Sequence, residues 1–269
     1  MPFAGYDSHM SSGRRFIFLG TGTSVGVPMI GCDCDVCTSH NPRNHRTRPS
    51  VLLQVPGGNI LIDCGPEMRL QLLREKIGLV HALLLTHYHA DHLFGLDDVR
   101  VFPHRLGGPL PIYCELHTEN AVRSTFAYAF EPWKEGIQGF VPKLAFKRIE
   151  TEPFEVLGET ITPIPLIHGH FHVLGFRIGD IAYCTDVSRI PPESMELLRD
   201  LDVLVLDALR PTRTHASHFT VEEALDVVDE LQPKRTYFTH MSHDMDYERL
   251  VQELPPGVSP AHDGLQFEF

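Results

Sequence analysis

The chain has 269 residues, 42% of them hydrophobic, and a mean hydropathy of -0.10. That balance fits a globular protein with a sizeable core and excludes a disordered chain. A formal charge of -12, from 23 basic and 35 acidic side chains, argues against a broad polyanion-binding face. No apolar run approaches a membrane span, and Met1 to Arg15 lacks the apolar core of a secretory signal, so a cytoplasmic setting without membrane contact is expected.

Residues 1–14 read as a weakly ordered leader before a single domain over 15–269. Phe16 to Leu19 is a first strand, ended by the loop Gly20-Thr21-Gly22-Thr23. From residue 24 to 49 nothing is periodic, and Pro28, Gly31, Pro42 and Pro49 punctuate the stretch. So long a loop needs another source of order. Cys32, Cys34 and Cys37, spaced C-x-C-x-x-C, supply one if they bind a metal in a reducing compartment. Cys64, Cys114 and Cys184 end apolar strands and read as buried free thiols.

Ser50 to Val55 and Asn59 to Ile62 form a hairpin around Pro56-Gly57-Gly58. A helix follows near Glu67 to Lys76, with Met68, Leu72 and Leu73 inward, and then a strand, Ala82 to Leu85. His92 to Val99 reads as a short helix, Pro111 to Cys114 as a strand and Glu119 to Phe130 as a helix. Strands are then expected over Pro142 to Ile149, Phe154 to Val156, Ile161 to Ile167, Val173 to Ile178 and Ile181 to Cys184. After them come a helix from Pro192 to Arg199, a strand from Val203 to Leu206 and an amphipathic helix from Val221 to Leu231. A strand at Thr236 to Phe238, a helix at Tyr247 to Glu253 and a strand at Leu265 to Phe269 end the chain. Two runs of strands, each followed by helices, fit two sheets packed face to face with helices outside. Periodicity alone does not separate this from other α/β layerings.

The strand Ala82 to Leu85 runs into Thr86-His87-Tyr88-His89-Ala90-Asp91-His92. Three imidazoles and a carboxylate suit a loop at a strand's C-terminal edge where a divalent metal collects them. His87 and His89, two apart, can face one ion while Asp91 and His92 turn toward a second. Four further strands end in polar groups: Asp63, His168, Asp186 and His240. Two dications sharing one carboxylate can hold a hydroxide at neutral pH, which is hydrolytic chemistry. Residue type admits Zn²⁺, Mn²⁺ or Fe²⁺.

The H-x-H-x-D-H motif after an apolar strand resembles the metallo-β-lactamase superfamily. That resemblance implies a four-layer αββα sandwich. It also implies a first metal on His87, His89, His168 and Asp186, and a second on Asp91, His92, Asp186 and His240. His168 is preferred over His170 and His172 because it directly ends its strand, and Asp63 is expected to hold the metal loop by hydrogen bonds. The ordered set Gly20-Thr21-Gly22-Thr23, Cys32-x-Cys34-x-x-Cys37, Thr86 to His92 and Thr239-His240-Met241-Ser242-His243 looks like the phosphoribosyl cyclic phosphate phosphodiesterases of phosphonate metabolism. That family implies a structural zinc on Cys32, Cys34, Cys37 and His243, and a His beside the scissile phosphate. The matching position is His218, with His215 the rival. Arg46 and Arg48 offer phosphate contacts, against the alternative of a solvated basic loop.

The expected activity is therefore that of a dinuclear phosphodiesterase on a small cyclic phosphate or nucleotide, with two active-site Zn or Mn ions and one structural zinc. Nucleic acid is not the expected substrate, and the reading leaves room for a homodimer. The alternatives are an RNA 3′-processing endonuclease, whose extended basic arm is missing here, and a thioester or lactone hydrolase on the same cage.

Overall fold

The computed structural model describes residues 13–130 and 141–269, so the leader expected over 1–14 lies almost wholly outside the described residues. The elements, in chain order, are β1 (Arg15–Gly20), β2 (Ser50–Val55), β3 (Gly58–Ile62), α1 (Met68–Arg74), β4 (Ala82–Leu84), α2 (Ala90–Leu93), α3 (Phe102–Leu106), β5 (Leu110–Cys114) and α4 (Leu116–Thr125). The second half adds β6 (Leu144–Arg148), β7 (Phe154–Val156), β8 (Glu159–His168), β9 (Phe171–Ile178), β10 (Ile181–Cys184), α5 (Pro192–Leu197), β11 (Val203–Asp207), α6 (Val221–Leu231), β12 (Arg235–Thr239), α7 (Tyr247–Glu253), β13 (Val258–Pro260) and β14 (Gln266–Glu268).

Among the described residues the strands form two mixed sheets, ordered β14-β1-β2-β3-β4-β5-β6 and β13-β12-β11-β10-β9-β8-β7. Period-two alternation builds the layers. Phe16, Phe18, Ile60 and Ile62 of the first sheet face Phe176, Ile178, Tyr183 and Val205 of the second in one buried core. The alternate residues Ile17, Leu19, Leu61 and Leu83 pack outward on Met68, Leu72, Leu96 and Phe102. On the far side, Leu204, Leu206 and Phe238 pack against Met195, Ala224, Val228 and Leu250. The result is the αββα sandwich.

Local departures have physical causes. Met68 and Leu72 lie inward on α1, but Leu73, one residue further round, is 45% exposed. The helix expected from His92 to Val99 divides into α2 and a 3-10 turn over Leu96–Val101, yet Leu93, Leu96 and Val99 are all buried. No helix among the described residues is long and apolar enough to cross a membrane.

Strands β3, β4 and β5 run parallel, as do β10, β11 and β12. Parallel pairing brings their C-terminal ends to a common edge, and the polar strand-ending residues gather there.

Candidate metal centre

The loop after β4 is pinned before any metal enters. Asp63, buried in the left-handed conformation at φ 61°, accepts from the backbone N–H of Thr86 (2.9 Å) and from its hydroxyl (2.8 Å). The same carboxylate lies 2.7 Å from Nδ1 of His92, so the other ring nitrogen of His92 is turned inward. A Cβ on Gly65 would meet the Asp91 carbonyl at 2.2 Å, so only glycine lets this turn lie against the metal loop. Nδ1 of His168 faces the Ser217 carbonyl at 2.7 Å, which fixes that ring too.

Two groups of donor atoms converge at this edge: His87, His89, His168 and Asp186, and Asp91, His92, Asp186 and His240. Within each group the donor atoms all lie within 4.8 Å of one another. Asp186 belongs to both. Its Oδ2 is 3.8 Å from His87 Nε2 and 3.7 Å from His168 Nε2, while its Oδ1 is 3.1 Å from His92 Nε2 and 3.3 Å from His240 Nε2. Like Asp63, Asp186 and His240 are left-handed, at φ 53° and 59°. His170 and His172, the rivals for His168, are exposed.

These residues fit divalent cations on a direct observation. Nε2 of His87, His92 and His240 and Oδ2 of Asp91 are buried without a hydrogen-bond partner, a costly arrangement unless an ion satisfies them. Burial works against charge at Asp186, but the His240 and His92 imidazoles still hold its carboxyl well below the usual range. Burial likewise opposes charge on His240, and Asp186 overcomes it, raising the imidazole to about 9. Protons on these imidazoles balance carboxylates that cations would otherwise neutralise.

A third group joins Asp207, His218 and His240. Asp207 ends β11, fully buried, and its Oδ2 is 2.7 Å from His218 Nδ1 while also accepting from the Val187 N–H at 2.9 Å. Its Oδ1 stands 3.9 Å from His240 Nδ1. The His218 ring lies 4.6 Å from the rings of both His168 and His240, beside the two donor groups. Thr220 and Glu223 form a capping box that starts α6 two residues after this His. His215 is exposed, near Ser217. Asp207 is absent from the residues expected at the site, although it shares the signal that marks Asp63: a carboxylate ending an apolar strand.

Away from the centre, Cys32, Cys34, Cys37 and His243 present donor atoms within 4.8 Å of one another. His243 Nδ1 is 3.2 Å from the Cys32 sulfur and 3.4 Å from that of Cys34. Tetrahedral zinc with sulfur ligands at about 2.3 Å would separate the donors by roughly 3.8 Å, so the cluster has the right size. The Cys37 backbone N–H lowers the Cys34 thiol to about 6, whereas burial lifts Cys37 to about 11.

Arg46 departs from the expected phosphate contact. Arg46 is 1% exposed, and its guanidinium donates to the carbonyls of Ser242 (3.1 Å) and Met245 (2.6 Å) and to the Asn44 side chain (3.3 Å). It ties the cysteine loop to the turn after β12 and is not a phosphate contact. Arg48 pairs with Glu67 and donates to the Ser24 carbonyl at 3.1 Å.

Two sheets under helices, with paired donor groups at their common edge, define a metal-dependent hydrolase of the metallo-β-lactamase fold. The profile of the Beta-lactamase superfamily domain matches residues 58–241. A crystal structure described as a new diphosphatase from the PhnP family superposes with a TM-score of 0.89 at 44% identity, over 95% of this chain and 97% of that one. The chain belongs to the beta-lactamase superfamily and, within it, to the PhnP family. An octanoyltransferase of Porphyromonas gingivalis is 37% identical over 94% of this chain, which spans only 51% of that protein. A ribonuclease Z of Methanopyrus kandleri is 28% identical over 92% of this chain and 95% of its own length.

Proposed function

We propose that the chain hydrolyses a small phosphodiester or diphosphate using two divalent cations. The observation that carries the reading is Asp186, whose two oxygens each face a different pair of inward-turned imidazole nitrogens. One ion would sit on His87, His89, His168 and Asp186, the other on Asp91, His92, Asp186 and His240, and either zinc or manganese suits these donors. When bound, such a pair activates water at neutral pH and stabilises charge growing on phosphoryl oxygens.

The chain's own residues do the rest. His218 is the proton donor to the leaving oxygen: Asp207 holds its Nδ1 and leaves Nε2 for the substrate. Asp63 orients His92 through Nδ1 and fixes the loop through Thr86. Cys32, Cys34, Cys37 and His243 would hold a structural zinc that anchors the loop over residues 24–49 beside the turn that carries His240. The 44% identical diphosphatase supports phosphoric anhydride or ester chemistry.

The second reading, an RNA-processing endonuclease, is favoured by the near full-length match to a ribonuclease Z. The net charge of -12 opposes it, since RNA binding draws heavily on phosphate contacts by basic residues. Incubating metal-loaded protein with bis-p-nitrophenyl phosphate, a cyclic ribose phosphate and a pre-tRNA separates the two. Turnover of the small esters with intact pre-tRNA is expected; cleavage of pre-tRNA at a defined 3′ site without ester turnover would sink the proposal.

A further inference from the structure

Beside the first donor group lies an aromatic edge for which the hydrolytic reading has no use. Phe171 opens β9 directly across the β8–β9 pairing from His168 and is 47% exposed. Its ring stands 5.5 Å from that of His89 and 6.4 Å from that of Tyr88, at 82° and 88° to them. Tyr88 in turn meets His117 at 6.0 Å.

A single exposed phenylalanine is common on any surface. This one is held at the site by backbone: the Leu174 N–H donates to the Thr86 carbonyl at 3.0 Å, tying β9 to the loop that carries Tyr88. His168 separates this edge from His218, its ring lying 5.1 Å from His89 and 4.6 Å from His218. His168 thus has the His218 imidazole on one side and an apolar aromatic surface on the other. A phosphate-only or sugar-only substrate leaves that surface in water.

We infer that the substrate is a nucleotide whose base stacks on Phe171, with the near-perpendicular Tyr88 ring against the base edge. The inference rests on the phosphoryl-hydrolase reading above and adds the substrate class to it. Stacking on aromatic rings tolerates any base, because every base has a π-face, so no base identity is assigned.

The test is binding to the metal-loaded protein by calorimetry, with adenosine 5′-monophosphate compared against ribose 5-phosphate. The two share phosphate and sugar and differ in the base. Adenosine monophosphate should bind roughly 5- to 150-fold tighter, the range that one stacked base supplies. Phe171→Ala should erase most of that advantage and leave ribose 5-phosphate unchanged, while Phe171→Trp should retain it. Equal affinity for the two ligands in the wild type, no binding of either, or equal losses of both in Phe171→Ala would overturn the inference. Turnover of bis-p-nitrophenyl phosphate tests the catalytic reading separately. A base preference without turnover would keep the stacking surface and remove the hydrolase assignment.

Discussion

Replacing Asp207 with Asn tests the proton-transfer assignment most sharply. The carboxylate is fully buried and its Oδ2 accepts from both His218 Nδ1 and the Val187 N–H. An asparagine carbonyl in the same place keeps both contacts and the side-chain shape, so the substitution removes charge and little else. A hydrogen bond to a charged group is worth about 1.5–3 kcal/mol against about 0.5–1.5 for a neutral one, so the imidazolium of His218 would lose about 1–1.5 kcal/mol of support. At about 1.36 kcal/mol per tenfold, kcat should fall roughly 5- to 13-fold on a cyclic ribose phosphate, whose leaving group is an alkoxide. A p-nitrophenyl ester leaves as a stable phenolate and needs the proton far less, so its loss should be much smaller. His218→Ala sets the ceiling, at about 10²–10⁴ on the alkoxide substrate. The assay is kcat on both esters for the three proteins, with metal content by mass spectrometry. Equal losses on the two esters in Asp207→Asn would refute the argument, and so would loss of a metal equivalent, which would move Asp207 to supporting His240 as a ligand.

Three further outcomes follow from the geometry. Asp186→Ala should abolish nearly all turnover and weaken both active-site ions, because each oxygen faces a different donor group; two-metal occupancy with high activity would place the bridge elsewhere. Cys34→Ser should lose about one equivalent of zinc and lower the melting temperature more than it slows ester turnover, and unchanged zinc stoichiometry would remove the structural site. Glu119, buried, has its carboxyl held below the usual glutamate range by hydrogen bonds from Arg148 and Arg123, so it stabilises the fold at neutral pH and the contribution is lost as the pH falls through and below that range. The melting-temperature gap between wild type and Glu119→Gln should therefore be widest near neutrality and shrink on acidification; a gap independent of pH would assign the effect to packing.

Much of the centre was legible because its residues share one pattern, a polar side chain directly after an apolar strand, which holds for Asp63, His168, Asp186 and His240. Parallel strands with a common C-terminal edge then assemble them. Asp207 carries the same mark but does not stand out, since its partners His218 and His240 lie 11 and 33 positions away and no local spacing links them. Arg46 misleads for the opposite reason. An arginine in an irregular loop resembles a surface cation, and only the fold places its guanidinium under the Ser242 and Met245 carbonyls. Short elements were the other gap. Helix α3 carries Pro103 in its first turn, and β13 is three residues ending in Pro260, too brief for periodicity to show.

The left-handed backbone at Asp63, Asp186 and His240 also governs which genetic changes the site can absorb. Outside glycine, that conformation is favoured chiefly by asparagine, aspartate and histidine and disfavours β-branched side chains. Selection on the backbone therefore persists even where selection on metal chemistry has relaxed. In a lineage that abandoned catalysis, Asp186 would drift first to Asn or Gly, each one nucleotide away from Asp, and Val, equally near in the code, would be purged by folding alone.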